Sequence, residues 1–139
     1  MELLLDTANL EAIRKYHDYY NVTGVTTNPT ILSREKGPFF ETYEKIRKII
    51  GDEKQLHVQV TARGWEEMLQ EAETITARLG KDVYIKVPVV EEGVKAMKLL
   101  KEGWEDTDVL TWIPISRQRR FTRGYDQTEL LAQAAAQNR

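Results

Sequence analysis

Cysteine is absent from the 139 residues, which excludes a disulfide framework and any thiolate-ligated metal or cluster. Histidine occurs only at positions 17 and 57, too sparse and too separated to suggest a zinc site. Long apolar runs are missing as well: none approaches the roughly 20 residues of a membrane-spanning helix. The opening Met1-Glu2-Leu3 lacks the pattern of a signal peptide, so a cytoplasmic location is expected. A large excess of one sign of charge is missing too. The net charge is −2, which gives no general attraction for nucleic acid. What remains is 41% hydrophobic and 30% charged residues, an ordinary globular composition in a chain long enough for one buried core.

The pattern along the chain alternates between short β-branched runs and helical periodicities. Glu2 to Asp6 reads as a strand, with Asn9 as a cap for a helix that carries Leu10 and Ile13 and runs through Tyr20. Val22 to Thr27 is a second strand, broken by Asn28-Pro29. Thr30 to Ser33 is a short helix, and Phe39 to Ile50 a longer one with Phe40, Tyr43, Ile46 and Ile50 on one side. Gln55 to Val60 alternates Leu56, Val58 and Val60 against His57 and Gln59. Thr61 to Leu79 is an amphipathic helix closed by Gly80. Asp82 to Val89 is a fourth strand, and Glu91 to Lys101 a fourth long helix. Four strand–helix units in succession predict an α/β fold with a parallel sheet covered by helices.

Lys86 stands out within the last of these strands. It lies between Ile85 and Val87 in what reads as a central strand, where a solvated ammonium is unusual. Burial would disfavour its charged form and free the amine to attack a carbonyl as a Schiff-base nucleophile. Pairing with a carboxylate or snorkelling outward from a strand end are the structural alternatives. Polar residues also gather where parallel sheets place their ligands, at the carboxyl ends of the strands. Asp6 closes the first strand, Thr26, Thr27 and Asn28 the second, and Gln59 and Thr61 the third.

Taken together, Leu5-Asp6-Thr7, Gly24-Val25-Thr26-Thr27-Asn28-Pro29-Thr30-Ile31 and Ile85-Lys86-Val87-Pro88 resemble the transaldolase family, with spacing closest to its fructose-6-phosphate aldolase-like branch. The resemblance covers residues 1 to about 103. It implies the first half of a (β/α)8 barrel, a partial TIM barrel, with no cofactor and no metal. It further implies a fourth-strand lysine, Lys86, that forms an imine with a ketose or sugar phosphate. By the same resemblance Asp6 is the carboxylate that binds substrate hydroxyls and assists proton movement, and Gln59 helps to hold the catalytic water. Asn28 hydrogen-bonds the substrate, with Thr26 beside it. Asp6 and Asn28 as caps or turn formers, and Gln59 as a polar residue on a sheet face, are the plainer readings of the same positions. The fifth-strand threonine, the tyrosine near the imine, and the later-strand serine and arginine for substrate phosphate belong to the half of the barrel that these four units do not supply. Half a barrel with open sheet edges calls for self-association or cover. A non-catalytic half-barrel stabilised in that way is therefore the alternative function.

Residues 104–139 read differently. Asp108 to Ser116, the arginines at 117, 119, 120 and 123, and Arg123-Gly124-Tyr125-Asp126-Gln127 resemble part of ComF-type phosphoribosyltransferase-like proteins. The acidic, glycine-rich phosphate loop and the cysteine zinc module of that family are absent. The expectation is a fusion or chimera in which residues 104–139 form a passenger tail or a substitute fifth strand with a helix. The arginine cluster is a candidate phosphate or nucleic-acid contact, against which the acidic balance of the chain counts.

Overall fold

The computed structural model describes residues 2–103, and the readings made for residues 104–139 lie outside them. Four strands, β1 (Leu4–Asp6), β2 (Gly24–Thr26), β3 (Gln55–Gln59) and β4 (Tyr84–Lys86), form one parallel sheet in the order β1-β2-β3-β4. Between them lie α1 (Leu10–Tyr19), the four-residue α2 (Pro29–Leu32), α3 (Phe39–Ile50) and α4 (Trp65–Leu79), and α5 (Glu91–Gly103) follows β4. Helix packs on successive helix, α1 on α3, α3 on α4 and α4 on α5. This is the run of βα units that the alternating sequence predicts, and it has the architecture of a partial TIM barrel. Among the described residues no helix is long and apolar enough to cross a membrane.

Spacing explains which sides are buried. Tyr43, Ile46 and Ile50 on α3, and Met68, Ala72, Ile75 and Leu79 on α4, recur at three- and four-residue intervals and are all buried. They meet Val25, Leu56, Val58 and Val60 from the sheet, with Ile13 of α1 and Ala96 of α5 completing the core. Asn9 caps α1 by accepting from the Ala12 N–H at 2.9 Å. Gly80 ends α4 at φ 109°, a conformation that disfavours residues with a Cβ.

The ladders sort the strand residues into rows, and partners across a parallel ladder project from the same face. Leu5, Val25 and Leu56 form one row, and Val58 with Ile85 another; these contribute to the apolar core under the helices. Asp6, Thr26, His57 and Tyr84 form the intervening row, followed toward the carboxyl ends by Gln59 and Lys86. The sheet is thus apolar toward its helices and mostly polar on its opposite face.

Local hydrogen bonding sets the element ends. The Val22 N–H turns back to the Tyr20 carbonyl at 2.8 Å, so β2 begins at Gly24 and not at Val22. Thr61 and Ala62 do not start α4. Their N–H groups donate to the Glu71 carboxylate at 2.8 and 2.9 Å, and the Thr61 hydroxyl adds a third bond at 2.9 Å, which holds residues 61–64 as a loop. Sheet order follows chain order, so β4, with Lys86, is the outer strand of the described sheet on that side, and any strand that would make it central lies outside the described residues.

Candidate active site

Lys86 closes β4, and it is half-buried. Its Nζ donates to the Thr27 carbonyl at 2.7 Å and to Thr26 Oγ1 at 3.1 Å. Among the described residues no carboxylate lies within ion-pair distance of it. The carboxylate-pairing alternative is therefore not realised there. Burial holds the ammonium below the ordinary lysine range, and the negative charge of Asp6 opposes that effect through space.

The end of β2 that receives this amine is fastened from beneath. Thr27 and Tyr43 are both fully buried, and their hydroxyls are hydrogen-bonded to each other. Thr27 Oγ1 also reaches the His57 carbonyl at 3.5 Å. Burial pushes the Tyr43 phenol up to about 12. One residue further on, Asn28 caps α2: its Oδ1 accepts from the Ile31 N–H at 2.9 Å, and Pro29 occupies the first helical position. The plainer reading of Asn28 as a cap is therefore correct as to its carbonyl oxygen, whose engagement fixes the side chain at the carboxyl end of β2.

Asp6, Asn28 and Gln59 line one polar cleft of about 620 Å³, together with Thr30, Ile31 and Arg34. Gln59 stands opposite Lys86 in the β3–β4 ladder, and Asp6 stands opposite Thr26 in the β1–β2 ladder. The five residues singled out from the sequence thus converge on the carboxyl ends of four adjacent strands. Lys86 and Thr26 are hydrogen-bonded to each other; Asp6, Asn28 and Gln59 share the cleft.

His57 lies one row below Gln59, stacked on Tyr84 with ring centroids 4.6 Å apart, and its Nε2 is 3.0 Å from Gln55 Oε1. Burial and then the Lys86 charge lower its pKa, against a small opposing influence from Glu2. Among the described residues no group of three or more His, Asp or Glu side chains could hold a metal ion.

Sequence reasoning missed the Thr27 carbonyl, because a backbone acceptor leaves no trace in residue type. It also missed Arg34 and Thr30, which reach the cleft only because α2 is a single short turn. The one available signal for Arg34 was its position just past Asn28-Pro29.

A family model described as Transaldolase/Fructose-6-phosphate aldolase matches residues 3–107. The chain is 43% identical over 128 residues to a probable fructose-6-phosphate aldolase of Streptococcus pneumoniae, covering 91% of this chain and 58% of that relative. It is 40% identical over 116 residues to a probable transaldolase of Petrotoga mobilis, covering 83% and 51%. A probable transaldolase of Kosmotoga olearia is 39% identical over 109 residues, covering 78% and 49%. The chain spans about half the length of the curated relatives it matches.

Proposed function

Because the chain belongs to the transaldolase/fructose-6-phosphate aldolase family, we propose that it carries the Schiff-base half of a class I aldolase site acting on a ketose or sugar phosphate. In this reading the neutral Lys86 amine attacks the ketone carbon, the C–N bond forms, and loss of water gives a protonated imine. Cleavage of the adjacent carbon–carbon bond sends its electron pair toward the iminium nitrogen and leaves an enamine. Protonation of the enamine carbon and hydrolysis then return the amine. Asp6 moves protons and receives substrate hydroxyls, Gln59 orients water, and Asn28 and Thr26 bind the substrate.

The observation that supports this most is the half-buried Lys86, held by two hydrogen bonds and opposite Gln59. An amine so placed sheds its proton more readily than a surface lysine, and its ladder partner Gln59 lines a cleft whose polar groups are suited to a polyol. The reading includes a cytoplasmic setting. It also includes self-association through β1 and β4, the outer strands of the described sheet.

The test is reductive trapping. Dihydroxyacetone or fructose 6-phosphate with sodium borohydride should add one ketone-derived mass to the chain, mapping to Lys86 and absent from Lys86→Met. A folded wild-type sample that gains no mass at saturating ketone removes the proposal.

A further inference from the structure

We propose that His57 is a positioning residue for Lys86: its imidazole, stacked on Tyr84, is the support over which the lysine stem crosses β3, and it keeps the amine poorly hydrated at the end of β2. The inference rests on the imine reading of Lys86 and adds to it a residue that acts through the amine without touching the substrate.

Strand order brings the two residues together. β3 lies between β2 and β4, yet the Lys86 amine, which starts from β4, donates to Thr26 Oγ1 on β2 and to the carbonyl of Thr27 just beyond it. The stem must therefore lie along the face of β3, across two strand spacings of about 4.8 Å each. Register identifies what lies under it. Gln59 is the ladder partner of Lys86, whereas His57 is the partner of both Thr26 and Tyr84. A side chain that leaves the Gln59 row and ends at Thr26 descends one row as it crosses, and His57 is the β3 residue of that row. The methylenes of a lysine pack readily on a ring while its nitrogen reaches onward to polar partners.

The ring is held as a support requires. Its plane is 8° from that of Tyr84, with centroids 4.6 Å apart. Its Nε2 is 3.0 Å from Gln55 Oε1; an amide oxygen only accepts, so Nε2 carries the proton and the neutral ring has one tautomer. The His57 carbonyl is 3.5 Å from Thr27 Oγ1, which ties β3 at this point to the residue whose carbonyl receives the amine. The charges facing the ring agree with an uncharged support. Burial and then Lys86 favour the neutral form, and Glu2, ahead of β1, opposes them. Asp6 stands in the same row, beyond Thr26, and Tyr84 covers the other side. His57 and Tyr84 are the largest side chains of that row, and so the bulk this polar face sets between the amine and water.

The experiment follows the Lys86 Cε–Hε NMR signals and the rate of borohydride trapping with dihydroxyacetone against pH, in the full 139-residue wild type, His57→Ala and His57→Phe. Nuclear Overhauser contacts in wild type should join the His57 ring protons to the Lys86 methylenes. His57→Ala should wet the amine and raise the lysine titration midpoint by about half a pH unit or more. Trapping at pH 8 should then slow about threefold or more, the change in free amine that half a unit represents. His57→Phe keeps a flat ring and should hold the wild-type midpoint, with trapping within about twofold of wild type. A merely structural loss would reduce the folded fraction and leave the midpoint of the folded signal where it was.

Missing Overhauser contacts, an unmoved midpoint in His57→Ala, or a His57→Phe as impaired as His57→Ala overturns the assignment. Should His57→Ala not fold, the wild-type contacts and His57→Phe decide by the same criteria. If wild type traps no ketone at saturation, the imine reading falls, and the contacts and midpoints, which need no ketone, decide the role of His57.

Discussion

Replacing Tyr43 by phenylalanine removes one hydroxyl from a fully buried position and leaves the equally buried Thr27 Oγ1 with only the 3.5 Å contact to the His57 carbonyl. The ring keeps its edge contact with Phe39, 4.9 Å between centroids, so little packing is lost. A buried hydroxyl stripped of its partner costs about 1–3 kcal/mol. Urea unfolding at neutral pH should show this as a midpoint lowered on the order of 1 M with an unchanged slope. The wild-type advantage should then shrink in alkali. The Tyr43 phenol is pushed from 10.0 to about 12 by burial, so between those values the unfolded chain releases this proton before the folded one does. Stability that is complete below pH 10 is lost as pH rises through 12, by roughly 2.7 kcal/mol for a displacement of this size. Phenylalanine has no such proton, and the difference between the two proteins should narrow by about that amount. The double variant Tyr43→Phe with Thr27→Val removes both partners and should destabilise by clearly less than the sum of the two single changes. A constant gap from pH 8 to 12, or strictly additive losses, would refute the reasoning.

Two further expectations concern the amine and the strand beside it. Asp6→Asn deletes the charge that opposes burial at Lys86, so the alkaline rise in borohydride trapping should move to lower pH; a move to higher pH would contradict the assigned electrostatics. Gly24→Ala places a Cβ against the Gln55 carbonyl oxygen and 2.6 Å from the Gln55 Cβ. Spreading β2 from β3 should lower stability by about 1–3 kcal/mol and slow trapping at Lys86, and a variant as stable as wild type in calorimetry would show that the strands yield freely.

Much of the fold was legible because it rests on periodicity. The helical intervals of Tyr43, Ile46 and Ile50 and the alternation of Leu56, Val58 and Val60 name their own buried sides. Asp6, Thr26, Asn28, Gln59 and Lys86 were legible as a group because strand ends of a parallel sheet gather in space. What sequence did not disclose depends on contacts distant along the chain. Glu71 claims the N–H groups of Thr61 and Ala62 from ten and nine residues away and delays α4 until Trp65. Lys86 was expected in a central strand, but the number of strands beyond it is not written in the strand itself. Arg34 enters the cleft through the brevity of α2, a matter of how many turns the helix completes.

The sidedness of the sheet bears on how a cylinder of this kind could be assembled from pieces. Parting it along a seam beside β1 or β4 wets carboxamides, hydroxyls, an imidazole and an amine on the concave side, while the greasy residues stay beneath their own helices. The interior therefore supplies little oily pressure toward closure. In the described sheet β1 and β4 are the outer strands, which carry the backbone groups that a further strand would pair with, while the polar face between them offers little apolar surface to hide.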